Sequence, residues 1–200
     1  MSLAVHLIRH AATDALGVTL SGRANAPLNG MGVAQARALA ARLVDDPIDT
    51  VYSSPLDRAL GTAGPIAKAK GLTVNTAEPL NEIDMGDWTG ARFDDLDHAP
   101  EWTFWNAGRS QHRAPNGESM LEVQARIARW LEQTWRSRGG GAIAAVSHAD
   151  VIKAALAHAL GLCLDHHARL EVSPASISTV VIGSWGLKVE RVNEVIPWTE

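Results

Sequence analysis

The sequence predicts an α/β fold, a three-layer α/β/α sandwich with a mostly parallel, doubly wound central sheet. Three observations lead there. Strand-like and helix-like runs alternate from residue 3 to residue 161, the rhythm of strands joined by crossover helices. The strand-like runs are short, apolar and bounded by polar residues, as strands covered on both faces are. No internal repeat, low-complexity tract or linker interrupts the chain, so residues 1–200 are expected to form a single domain.

The elements follow in order. LAVHLIR (3–9) reads as a buried strand, and a Gly, Asn and Pro-punctuated loop covers 10–28. MGVAQARALAARL reads as a helix of about four turns, N-capped by Asn29. DTVYSS (49–54) is a second strand. Pro55 stands near the first position of a helix that runs to Lys70 and stops at Gly71. LTVNTAEP is a third, more polar strand, expected near a sheet edge. Residues 81–116 hold Trp88, Trp102, Phe104 and Trp105 with little helical periodicity, and read as an irregular excursion over the site. Residues 117–137 are a strongly amphipathic helix, and the glycines at 139–141 a turn. AIAAVSH is a strand, ADVIKAALAHALG a helix closed by Gly161, and SISTVVIG with LKVERVN a hairpin about Ser-Trp-Gly.

Composition narrows the partners. A net charge of −4 argues against general nucleic-acid binding, yet leaves room for a local cationic pocket. One cysteine, Cys163, excludes an internal disulfide and reads as a small buried side chain on a helix. No apolar run reaches the roughly 18 residues of a membrane span, and no signal-like start precedes the first strand, so a cytoplasmic protein without membrane partners is expected. A homodimer is left open.

Open α/β sheets bind ligands outside the carboxyl ends of their strands. There the sequence places Arg9 and His10 after the first strand, Arg58 in the first turn after the second, Glu82 after the third and His148 after AIAAVS. Two guanidiniums at one mouth call for an anion, and their forked geometry suits phosphate. An imidazole among them is a candidate nucleophile toward phosphorus, and a carboxyl a candidate acid for the leaving oxygen. His6 and His10 cannot share a metal, since four strand residues span roughly 13 Å. The glycine triplet precedes a strand and is no phosphate-cradling loop.

RHAAT (9–13), SSPLDRALGTA (53–63), NEIDMGDWTG (81–90), NGES (116–119) and SHADVIKAAL (147–156) resemble the histidine phosphatase superfamily, in order, over roughly residues 3 to 183. That resemblance implies a phosphoglycerate mutase-like fold and phosphomonoester hydrolysis of a small phosphorylated substrate. His10 would become phosphohistidine; Arg9, Arg58 and His148 would hold the phosphoryl oxygens. Glu82 would protonate the leaving group and then activate water, and Thr13 and Arg23 would line the same pocket. No metal or cofactor is expected, because the arginines supply the positive charge. The arginines should keep His10 neutral with its second ring nitrogen on a loop carbonyl, and a desolvated setting should raise the Glu82 pKa.

Three departures from the family pattern stand out: Ala11 for a glycine, Leu16 and Gly17 where an asparagine is common, and Ala149-Asp150 for two glycines. In the last, Asp150 is expected to cap the helix. Ala11 would be strained only at positive φ. Two rivals follow: phosphoryl transfer of the phosphoglycerate mutase type, and a non-catalytic phosphoanion-binding member. Outside the site, His6 is expected to bond between elements, His98, His112, His166 and His167 to sit in solvated loops, and Trp130 and Trp135 to pack in a core or interface. Glu118 is read two ways, as an orienting group or as a first-turn carboxylate.

Overall fold

A computed structural model describes residues 1–198. The strands β1 (Leu3–Arg9), β2 (Ile48–Ser53), β3 (Val74–Thr76), β4 (Gly141–Ser147), β5 (Ile177–Gly183) and β6 (Gly186–Glu194) form one sheet in the order β3-β2-β4-β1-β5-β6. β3, β2, β4 and β1 run parallel; β5 pairs antiparallel with both β1 and β6. β3 lies at the edge, as its polarity predicts.

Alternation along the strands builds two apolar layers. Ile143 and Ala145 of β4 pack with α5 (Met120–Arg138) and α6 (Ala149–Leu160). Ala144 and Val146 pack against α1 (Gly30–Leu43) and α2 (Asp57–Ala69) on the opposite face. The sheet is thus covered on both sides, the three-layer arrangement expected of such strands.

Parallel register fixes where the strands end. Arg9 lies opposite Ser147, and Ser53 opposite Val146. His10, Ser54 and His148 therefore emerge at one edge of the sheet. The helices that leave this edge start as their sequences direct. Asn29 accepts the Gly32 N–H at 2.9 Å, and Ser119 and Glu122 cap α5 reciprocally. Gly161 closes α6 in the left-handed conformation.

Several expectations need correction. Residues 81–116 are not wholly irregular: they hold α3 (Phe93–Leu96) and α4 (Pro100–Ala107) with a 3-10 turn at Gly86–Trp88. Both helices are too short to show a period in sequence. α4 starts at Pro100 and turns Trp102 and Trp105 into the core. α2 begins at Asp57 rather than beside Pro55, because Leu56 keeps extended backbone as its N-cap. His148, not Asp150, is the N-cap of α6. Cys163 is exposed and leads a 3-10 turn. His167 is buried against the Leu164 carbonyl rather than solvated. His6 bonds across the sheet to Thr179, 3.0 Å away, and Trp130 and Trp135 pack on the core. Among the described residues, no helix is long and apolar enough to cross a membrane.

Candidate active site

His10 is the first residue beyond β1 and its backbone is held on two sides. Its N–H donates to the Ser147 carbonyl (2.9 Å), and its carbonyl accepts from Ala175 (3.3 Å). The ring Nδ1 lies 2.8 Å from the Ala11 carbonyl. That carbonyl can only accept, so Nδ1 carries the proton and Nε2 keeps its lone pair. Burial, then the nearby Arg58 and Arg9 charges, depress the His10 pKa to about 3. The imidazole is neutral across the physiological range.

The segment after His10 is fixed from both neighbouring helices. Ala11 N–H donates to Thr62 Oγ1 (3.0 Å) on α2, and Ala12 N–H to Gln35 Oε1 (2.9 Å) on α1. Ala11 is fully buried and is not among the residues with positive φ. Its methyl group therefore imposes no left-handed strain.

Arg58 is almost wholly buried. It donates to the carbonyls of Gly22 (2.6 Å) and Ala24 (3.0 Å), which aim its guanidinium. Arg9 donates Nη1 to the Val172 carbonyl (2.7 Å), while its buried Nε has no partner among the described residues. Burial is the main cause lowering both arginine pKa values, yet a guanidinium stays charged at any ordinary pH.

Glu82 follows a short turn anchored by the Ser147 hydroxyl, which donates to the Leu80 carbonyl (2.7 Å). Its backbone N–H donates to Asn81 Oδ1 (2.9 Å), and its Oε1 accepts from Ile83 N–H (3.0 Å). Burial and the Asp150 charge raise its pKa to about 7, against the lowering influence of Arg58, the Ile83 N–H and Arg9. His148 is fully buried behind these groups, its ring centroid 5.1 Å from that of His10. Its Nε2 lies 2.8 Å from Ser54 Oγ, which also accepts from the Leu56 N–H (3.4 Å). No other acceptor meets the Ser54 hydroxyl hydrogen among the described residues, which favours its donation to Nε2 and a proton on Nδ1. Nδ1 has no hydrogen-bond partner among the described residues. Burial, foremost, lowers the His148 pKa well below the usual value.

A cavity of about 270 Å³ opens over these groups, lined by Arg9, His10, Thr13, Arg58 and Glu82 together with Leu16, Gly17 and Asp150. The sequence thus brings together Arg9, His10, Thr13, Arg58 and Glu82 on one cavity, with His148 supporting them from behind. Arg23 is the exception. Its guanidinium does not line the cavity but bonds Glu118 Oε2 (3.0 Å) and the Glu82 carbonyl (3.0 Å), with Asp84 at 3.6 Å. Acidic partners draw it away from the anion pocket.

Sequence reasoning missed Arg126. From α5 it reaches the carbonyls of Pro79 (2.6 Å) and Glu82 (3.2 Å) and pairs with Glu118 (3.2 Å). Glu118 also accepts the Asp84 N–H (3.0 Å), so of its two readings the structure supports the orienting one. Ser54, Thr62 and Gln35 were missed as supports too. The first two lie inside the quoted SSPLDRALGTA block; no signal marked Gln35 or Arg126. Among the described residues, no three His, Cys, Asp or Glu side chains are grouped to hold a metal.

The architecture, with its site at the carboxyl edge of a doubly wound sheet, is the phosphoglycerate mutase-like class of α/β/α sandwich. The sequence profile of the histidine phosphatase superfamily (branch 1) matches residues 5–195, and the chain belongs to that superfamily. A "probable phosphoglycerate mutase GpmB" from Yersinia pestis (strain Pestoides F) is 33% identical over 183 residues, 89% of this chain and 84% of the relative. The native structure of a mycobacterial glucosyl-3-phosphoglycerate phosphatase superposes with a TM-score of 0.86 at 26% identity, covering 96% of this chain and 99% of that one. A phosphoserine phosphatase from Entamoeba histolytica, in complex with 3-phosphoglyceric acid, gives a TM-score of 0.84 at 25% identity over 96% and 97% of the two chains. Family membership and these phosphatase structures support a phosphatase activity.

Proposed function

We propose that the protein is a phosphomonoester hydrolase that works through a phosphohistidine on His10, acting on a small phosphorylated metabolite. The observation that carries this reading is the pairing of a neutral His10, whose Nε2 lone pair is free, with a Glu82 whose pKa of about 7 lets it give and take a proton. We read residues 1–200 as one domain, with 81–116 as its excursion over the site.

The steps follow from the groups present. Arg9 and Arg58 bind the phosphoryl oxygens and stabilise the charge that spreads over them in the transition state. Thr13 adds a hydroxyl at the cavity wall. His10 Nε2 forms a bond to phosphorus as the phosphorus–oxygen ester bond breaks, and protonated Glu82 gives its proton to the departing oxygen. His148, neutral with its proton on Nδ1, donates to a phosphoryl oxygen once Glu82 turns toward the leaving group. The Glu82 carboxylate then takes a proton from water, the water oxygen bonds to phosphorus, and the His10–phosphorus bond breaks to release phosphate. The two arginines provide positive charge at the reacting centre, so this sequence of steps requires no metal ion.

The test is hydrolysis of an aryl phosphate in EDTA by wild type and His10→Ala, with acid-labile phosphoprotein trapped on short mixing. Activity lost in His10→Ala and phosphate trapped on wild type alone are expected; equal rates would remove the hydrolase reading and leave an anion-binding protein. The mutase reading gains one observation, the identity to the Yersinia relative. It predicts robust turnover of 3-phosphoglycerate primed with a bisphosphoglycerate.

A further inference from the structure

Beyond the groups that handle phosphorus, the same cavity has a second part with its own construction. Residues 15–22 and 85–93, far apart in sequence, are joined edge to edge by backbone hydrogen bonds. Leu20 N–H donates to the Ala91 carbonyl (2.8 Å), Gly90 N–H to Leu20 (2.8 Å) and Phe93 N–H to Val18 (3.1 Å). Thr19 and Arg92 form an isolated antiparallel bridge within this seam. From it Leu16, Leu20, Met85 and Phe93 line the cavity as an apolar wall, and Thr19 and Ser21 add neutral hydroxyls.

The charges facing this part are all accounted for. Among the described residues, the cations that line the cavity are Arg9 and Arg58, both at the phosphoryl end. The arginines of the excursion do not line the cavity, and each has a carboxylate partner, that of Arg92 in an exposed pair. Arg92 pairs with Asp94 (3.2 Å), Arg109 with Asp150 (3.2 Å), and Arg113 with Glu122. Arg23 is held by Glu118 (3.0 Å). The ionisable side chains that remain on the wall, Glu82 and Asp150, are acidic.

We propose that this chamber selects phosphomonoesters whose alcohol portion is uncharged and largely apolar, and rejects those that carry a second anionic group such as a carboxylate or another phosphate. The inference rests on the phosphomonoesterase reading above and names its substrate class. A second anion would lie among apolar side chains, with Asp150 already neutralised by Arg109 and no cation on this part of the wall to meet it, and an unpaired charge removed from water is strongly disfavoured. A neutral apolar group there gains by leaving water. The cavity of about 270 Å³ lies just under the roughly 300–1,000 Å³ of drug-sized ligand pockets, and suits a small ester.

The experiment uses matched pairs. Turnover of phenyl phosphate is compared with 4-carboxyphenyl phosphate, and of butyl phosphate with 4-phosphooxybutanoate. Binding of phenylphosphonate and 4-carboxyphenylphosphonate, which cannot be hydrolysed, is measured by calorimetry. The neutral member of each pair is expected to win by about tenfold or more in kcat/KM and in affinity. Leu16→Lys, at an exposed position, should raise use of the carboxylated esters relative to the neutral ones. Phe93→Ala should lower kcat/KM for phenyl phosphate by about tenfold, with methyl phosphate changed far less. Carboxylated and neutral members of equal affinity, or an unchanged ratio in Leu16→Lys, would overturn the proposal. The hydrolase reading fails separately: if no ester is cleaved in a His10-dependent manner while the phosphonates still discriminate, the chamber stands and the chemistry does not.

Discussion

Nδ1 of His148 lies 3.7 Å from Oε2 of Glu82, beyond hydrogen-bond reach, and neither group favours its charged form at that spot. The His148 pKa is well below its usual value and that of Glu82 is raised to about 7, in both cases chiefly by burial. His148 is therefore neutral around pH 7 while Glu82 is near the midpoint of its own titration, so the two do not form a standing ion pair.

For activity, this makes Glu82 the group that sets the pH profile. For an ester with a poor leaving group, kcat/KM needs Glu82 protonated, so it should fall as pH rises through about 7. Glu82→Gln should abolish that limb and slow such esters severely, with p-nitrophenyl phosphate affected less. A wild-type profile that stays flat from pH 6 to 9 with alkyl phosphates would count against the acid role.

The same shifts act on stability, with opposite signs. His10 has a folded pKa of about 3 against 6.5 unfolded, so the unfolded chain binds more protons between those values. Stability should fall as the pH drops from 6.5, by up to about 1.4 kcal/mol per pH unit for each such histidine. Glu82 has a folded pKa of about 7 against 4.5, so its contribution is present below 4.5 and lost as pH rises through 7. Glu82→Gln removes this opposing part. Urea unfolding should then show a steeper rise of stability with pH between 4.5 and 6.5 in the variant than in wild type.

Arg58 provides a test of shape as against charge. Its two donors are set by the Gly22 and Ala24 carbonyls, an arrangement an ammonium cannot reproduce. Arg58→Lys keeps the charge and should still cut kcat/KM by about 100-fold, two decades being about 2.7 kcal/mol of transition-state binding. Steady-state kinetics measure it directly.

Gly86 and Gly117 let the segments 84–86 and 115–117 pass in close contact, the first starting two residues beyond Glu82 in the chain. A Cβ on Gly117 would sit 2.3 Å from the Asp84 carbonyl oxygen, and one on Gly86, at φ +51°, 1.9 Å from that of Pro115. Both obstacles are backbone and cannot swing aside. Gly117→Ala should destabilise by more than about 3 kcal/mol, read as a fall in the denaturant midpoint.

Arg126 touches the backbone of Glu82 rather than the cavity. As a positioning residue it should act through Glu82 alone. Arg126→Met should lower kcat for alkyl phosphates about tenfold, leave KM near its wild-type value, and change p-nitrophenyl phosphate little. Equal losses for both ester types would mean a general loosening of the site.

Much of this was legible in the sequence because strand ends are. Arg9, His10, Arg58, Glu82 and His148 each follow a strand or its first helical turn, and parallel register brings such positions to one edge. Arg23 was misplaced because nearness in sequence to His10 suggested a shared pocket, whereas Asp84 and Glu118, distant in the chain, hold it. Asp150 looked like a cap by residue type, but Arg109 claims its carboxylate. The helices at Phe93–Leu96 and Pro100–Ala107 were hidden because four and eight residues complete too few turns to show a stripe. The departure at Ala11 loses its weight once its φ is known not to be positive.

The seam between residues 18–20 and 90–93 has a bearing on how relatives of this protein could diverge. Residues that meet phosphorus are rooted in the sheet, whereas those that meet the alcohol hang from two mutually supporting loops. An insertion in one loop would unzip the other unless its length changed too. New preferences should accordingly arise through paired alterations of both loops, while the reacting groups keep their places.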